Sequence, residues 1–226
     1  MGWWSYYLFW MLIPGLLALV SRHPGALVVV VIALVLRRWL PDPVLFFRYL
    51  ARVSSLRGQI AANPQNAAAK RELAMIFLRK RRPRQAVPLV EQALERDPES
   101  AELHFLLGVA RLESGDPERA LESFGETVRL EEKHAYGEAY LRAGDAFLAL
   151  GKLEQATQAL SRYLEINRSS IEGMVKRARV LRRAGDAAGA KRSLEEAVET
   201  WGQVPSFLRR RQLGWYLRAR WDLLLA

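Results

Sequence analysis

The chain of 226 residues contains no cysteine and only three histidines. Without thiols there is no disulfide framework and no thiolate metal site, and the usual argument for an oxidising compartment falls away. His23, His104 and His134 never pair at metal-ligand spacing. Equally missing are a Gly-rich phosphate loop, a nucleophile elbow and a zinc-binding helix motif. Glu131-Glu132 and Glu195-Glu196 sit at intervals expected of solvated helix faces. The sequence therefore offers no catalytic residue, metal ligand or cofactor site. A binding role is expected, with no small-molecule substrate.

Charge is missing from the start of the chain, where the first charged residue is Arg22. Trp3 to Val20 reads WWSYYLFWMLIPGLLALV, and as a helix it would rise about 27 Å, enough for a bilayer core. The clustered Trp3, Trp4, Tyr6, Tyr7 and Trp10 suit a headgroup region. A break at Ser21-Arg22-His23-Pro24-Gly25 precedes the apolar run 26–36, which Arg37, Arg38 and Trp39 close. That second run, extended to Leu40, would rise only about 22 Å, so one span or two both remain open. A cleaved signal peptide is not expected, because no Lys or Arg precedes Arg22. Residues 1–40 are expected to anchor the chain in a lipid bilayer. Basic residues follow the second run, and the positive-inside rule places the larger part in the cytoplasm. Many Arg, Ala and Leu residues hint at a bacterial source, hence an inner membrane.

The formal charge of +10 is unevenly distributed. Residues 1–43 have three Arg and one Asp (+2), and residues 44–96 have eleven basic and three acidic residues (+8). Residues 97–167 have seven basic and fourteen acidic (−7), and residues 168–226 thirteen and six (+7). A nucleic-acid binder would not usually carry such an acidic middle, so nucleic acid is not expected as a partner.

Pro41-Asp42-Pro43 stops any preceding helix. Within 41–66, a linker and amphipathic basic helix, Leu45, Phe46, Tyr49, Leu50, Val53, Leu56 and Ile60 recur at three and four over 44–63. Lying on the membrane interface and capping a neighbouring helical stack both fit this pattern.

Beyond it the chain repeats every thirty-four residues, as Asn63-Pro64 and Asp97-Pro98 announce. Blocks 67–100, 101–134, 137–170 and 171–204 follow, with two extra residues before the third. Their eighth positions hold Ala74, Gly108, Gly144 and Ala178, and their twentieth hold Ala86, Ala120, Ala156 and Ala190. The fifteenth is glycine in the last three blocks (Gly115, Gly151, Gly185), and the twenty-fourth is large and apolar: Val90, Phe124, Leu160, Leu194. Each block reads as two amphipathic helices whose small residues let backbones approach while a large residue fills the next layer.

At these residues the sequence resembles tetratricopeptide-repeat (TPR) proteins, over about residues 63–204. It departs at the fourth position (Lys70, His104, Tyr140, Met174) and at the twenty-seventh, where Thr127 and Tyr163 replace a small residue. The resemblance implies an all-α, TPR-like α-solenoid of about four helix–turn–helix repeats over 67–204, after one or two transmembrane helices. Residues 205–226 resemble its cap helix, with Leu213, Tyr216, Leu217, Trp221 and Leu224 spaced to lie on the last repeat and Arg209, Arg210, Arg211, Arg218 and Arg220 facing outward; a second membrane- or acid-binding surface is the other reading of this helix.

The resemblance further implies that first helices line a concave groove holding a peptide or helix of a protein partner, alone or in a membrane complex. Its candidate residues are Arg71, Met75 and Arg79, then Glu102, Phe105, Val109 and Glu113, then Glu138, Leu141 and Asp145, and last Arg179, Arg182 and Arg183. Such a groove would be acidic in the middle and basic at both ends. The family's clamp for a terminal carboxylate is not matched, since its positions read Arg71, Met75, Leu106, Glu138 and Arg142. Lys80, Arg81, Arg82 and Arg84, on the first repeat's turn, together with Arg37, Arg38, Arg48 and Arg52, form a candidate surface for an anionic leaflet. The expectation is a membrane-anchored scaffold or assembly factor that recruits a protein. An anionic-surface or nucleic-acid binder using the basic ends is the alternative.

Overall fold

A computed structural model describes residues 43–225. The apolar segments of 1–40, with Arg37 and Arg38, lie outside the described residues, and no described helix is long and apolar enough to cross a membrane. The described residues form ten α-helices and no strand. They are α1 (Pro43–Ala62), α2 (Ala67–Arg79), α3 (Pro83–Leu94), α4 (Ala101–Glu113), α5 (Pro117–Leu130), α6 (Glu138–Ala149), α7 (Leu153–Ile166), α8 (Ile171–Arg183), α9 (Ala187–Thr200) and α10 (Ser206–Leu224).

Side-chain caps explain why five of the helices start where they do. Asn66, Ser100, Asp116, Ser170 and Asp186 each accept from the backbone N–H three residues on, satisfying an orphan donor of the first turn. Between the helices of repeats two to four, Gly115, Gly151 and Gly185 adopt left-handed φ of 91°, 72° and 85°. In the first repeat Arg81 holds the same conformation at φ 53°, a strained choice for a side chain with a Cβ. The two residues inserted before the third repeat, Ala135 and Tyr136, are left-handed within a 3₁₀ turn at His134–Gly137.

From Ser55 onward the chain is one compact unit, in which α2 to α9 stack as helical hairpins into a TPR-like solenoid. The small residues at the eighth position have a direct cause. A Cβ on Gly108 would meet the Phe124 ring at 2.5 Å, and one on Gly144 would meet Leu160 Cγ at 2.7 Å. Phe124 and Leu160 are each 1% exposed. Tyr163, irregular by the repeat pattern, is accommodated because Gly173 has no Cβ, which would come within 2.7 Å of its ring. Its hydroxyl donates to Ser170 Oγ at 3.1 Å and accepts from Asn167 Nδ2 at 3.1 Å. Burial raises its pKa above the usual 10.0.

In α1, Leu56 lies within this unit and is buried; Phe47 and Leu50, before the unit begins, are exposed. At the other end α10 packs on α8 and α9. Gln212 Oε1 accepts from the Ile171 N–H at 3.0 Å, closing the first turn of α8, and Tyr216 stacks on Trp201 with ring centroids 4.5 Å apart. The packed face consists of Leu208, Trp215, Tyr216, Ala219 and Leu223. This corrects the stripe expected from spacing: Tyr216 packs, but Leu213, Leu217, Trp221 and Leu224 point to solvent. Large apolar side chains lie on both sides of the helix among its arginines, so spacing alone admits two faces, and Gln212, Ala219 and the Trp201 stack select one.

Candidate partner-binding surface

First helices of successive repeats bond to one another by side chains thirty-one residues apart. Arg71 Nη1 on α2 donates to Glu102 Oε2 on α4 at 2.6 Å, and Lys176 Nζ on α8 donates to Asp145 Oδ2 on α6 at 2.7 Å. Lys176 also pairs with Glu172 at 2.8 Å, and its ammonium lies 5.8 Å from the Trp215 ring centroid. With a side chain only 11% exposed, it would be costly to bury without these partners. Glu138 accepts from Arg142 Nη2 at 3.1 Å on α6 itself.

These pairs redraw the charge expected from sequence. Glu102, Glu138 and Asp145 each face a cation, leaving Glu113 as the exposed carboxylate among the candidates. The middle of the row is thus largely neutralised from within. Of these partners only Lys176 lies outside the groove and clamp positions that the resemblance implies. The Glu172–Lys176 spacing of four was a legible signal; the thirty-one-residue offset was another, visible only once the stack is assumed.

Among the apolar candidates, Met75, Phe105 and Val109 are half-buried. The Phe105 ring lies 6.1 Å from that of Phe124 and 5.6 Å from that of His134. Leu141 is 3% exposed and belongs to the core formed by α6 to α10, so it offers nothing to a ligand. Its position faces inward because the following helices pack directly over it. Arg71, Met75 and Arg79 line a depression of about 400 Å³ with Gln59, Asn66 and Ile76.

At the far end Arg179, Arg182 and Arg183 come together with Arg218 of α10 around a depression of about 240 Å³. Only one carboxylate joins them, Asp222, whose Oδ2 lies 3.8 Å from Arg218 Nε. Arg218, expected only to face outward, is brought to this site by the packing of α10. A third depression of about 350 Å³, mostly apolar, opens among α5, α6 and α7 beside Val128, Tyr140 and Phe147. Tyr140 there has its pKa raised, first by burial and then by Glu132, whose Oε1 accepts its hydroxyl at 3.3 Å.

Lys80, Arg81, Arg82 and Arg84 are exposed around the α2–α3 turn, as are Arg48 and Arg52 on α1. Among the described residues no three His, Asp or Glu side chains gather as a metal site.

Two sequence profiles of the tetratricopeptide repeat match the chain, at residues 71–130 and 111–173. No curated protein matches it. Similar solved structures include MamA, at 18% identity and TM-score 0.63, covering 67% of this chain and 87% of that one. A second is YrrB, described as a TPR protein with an unusual peptide-binding site, at 17% identity and TM-score 0.60, covering 69% and 79%. A third is PilW, described as a widely conserved type IV pilus biogenesis factor, at 19% identity and TM-score 0.61, covering 77% and 82%. At these identities the likeness concerns the fold, and with the profile matches it gives a plain result: residues 71–173 of this chain are tetratricopeptide repeats.

Proposed function

We propose that this chain is a membrane-anchored scaffold or assembly factor whose first helices hold a segment of a protein partner. The observation that carries the reading is the arginine cluster. Four guanidiniums meet one carboxylate at the end of a row whose other charges are mostly paired. Guanidinium is suited to bidentate carboxylate recognition. The bound segment therefore carries acidic side chains where it meets Arg179, Arg182, Arg183 and Arg218, and apolar ones over Phe105 and Val109. YrrB, with its peptide-binding site, and PilW, a biogenesis factor, lend the reading analogy at the level of fold. Tethering is assigned to the uncharged run before Arg22.

The test compares affinity recovery from detergent extracts using the full chain and the triple variant Arg179→Glu, Arg182→Glu, Arg183→Glu. The expected result is a partner band reduced about tenfold in the variant at unchanged helical content, since like charge at a recognition site costs affinity. Equal recovery by both would contradict the groove reading. Separately, the full chain should stay with membranes through an alkaline carbonate wash, and its release would contradict the tether.

A further inference from the structure

The outer face of α10 carries an apolar stripe that nothing in the solenoid covers. Leu213, Leu217, Trp221 and Leu224 follow one another at four, four and three residues, which aligns them along one side of the helix. Phe207, on the first turn, lies about a third of a turn round the helix from Leu213 and is exposed as well. These five side chains are 43 to 80% exposed, while the opposite side of the same helix is packed into the core. Scattered exposed leucines are ordinary, but a row of three leucines and a Trp beside an exposed Phe marks a surface that something covers.

The charges around the stripe identify the occupant. Arg210 sits within the row, Arg211 and Arg218 flank one side, and Arg220 flanks the other; all four are exposed. With five arginines and one aspartate the helix has a net charge of +4. A stripe of Trp, Phe and Leu bordered by long cationic side chains matches a helix lying in the plane of a bilayer interface. The rings and leucines enter the acyl boundary, and arginine stems extend to the headgroups. Other occupants fit less well. Two copies packed through this face would bring two helices of net charge +4 together. A nucleic-acid backbone would engage the arginines and leave five large apolar side chains in water.

We infer that the outward face of α10 is a docking surface for an anionic lipid bilayer, through Phe207, Leu213, Leu217, Trp221 and Leu224 with Arg210, Arg211 and Arg220. This surface is separate from the groove, and the inference holds whether or not the groove has a partner. Its consequence is that the end of the solenoid farthest in sequence from residues 1–40 also meets the membrane.

The absence of cysteine makes the test clean. The full chain with Leu217→Cys, labelled with an environment-sensitive nitrobenzoxadiazole dye, is reconstituted into vesicles of phosphatidylcholine alone or with about one-third phosphatidylglycerol. A chain labelled at Ala188→Cys, exposed near the start of α9, serves as the control. The expected result is a blue-shifted emission about threefold brighter in the anionic vesicles, quenched by shallow spin-labelled lipids, at position 217 only. Adding Arg210→Gln, Arg211→Gln and Arg220→Gln should return the emission towards the phosphatidylcholine value. Four outcomes overturn the proposal: no change at position 217, equal signals in both vesicle types, equal signals at both labels, or a rise in detergent alone that grows with protein concentration, which would point to a second copy. Emission that rises only when an acidic protein is added overturns it as well.

Discussion

At the scale of single residues, the repeat depends on which atoms are left out. Gly108 lacks the Cβ that would sit 2.5 Å from the Phe124 ring, and Phe124 is too deeply buried to move aside. Gly108→Ala gains about 1 kcal/mol in helix propensity. Overpacking costs about 1–3 kcal/mol, so the net effect should be a loss. Chemical denaturation should show the single variant less stable and Gly108→Ala with Phe124→Leu recovering most of the difference; purely additive effects would contradict the packing account. Arg81 gives the opposite sign. It occupies a left-handed turn that the other three repeats fill with glycine, and Arg81→Gly should stabilise the fold by about 1 kcal/mol, read as a raised denaturation midpoint. The sequence pattern exposed both sites, since the small eighth position and the missing glycine stand out on alignment. Tyr163 was not legible in the same way. Its fit depends on Gly173 in the next block and on a hydroxyl network with Ser170 and Asn167, relations that a single block cannot display.

At the scale of elements, neighbouring repeats are fastened by charged pairs as well as by apolar layers. Lys176 ties α8 to Asp145 on α6 while it also faces Glu172 and the Trp215 ring. Asp145→Ala removes one partner of a mostly buried ammonium and should cost about 1–3 kcal/mol. Hydrogen exchange should quicken in α8 to α10 more than in α2 to α4, and uniform loosening would count against a local joint. Helix positions were legible because the period of thirty-four carries caps, turns and small residues in fixed places. The packed side of α10 was not, because two apolar faces share one helix and only contacts with Trp201 and Ile171 distinguish them.

At the scale of the whole molecule, summed charge and usable charge differ. Among the groove candidates, Glu102, Glu138 and Asp145 are answered by Arg71, Arg142 and Lys176, whereas the arginines at the far end meet, among the described residues, only Asp222. Two of the three pairs bridge neighbouring first helices across thirty-one residues, which a sum of charge along the chain does not display. The consequence is a row of first helices with half-buried apolar side chains near its middle and a cationic end, suited to one orientation of an acidic segment. The most direct test is site-specific photocrosslinking in cells expressing the full chain, with the probe at Phe105, at Val109 or, on a second helix, at Glu195. Adducts are predicted from Phe105 and Val109, absent from Glu195, and lost when Arg179, Arg182 and Arg183 are changed to glutamate. Adducts from Glu195 alone, or first-helix adducts that survive the arginine reversal, would contradict the account.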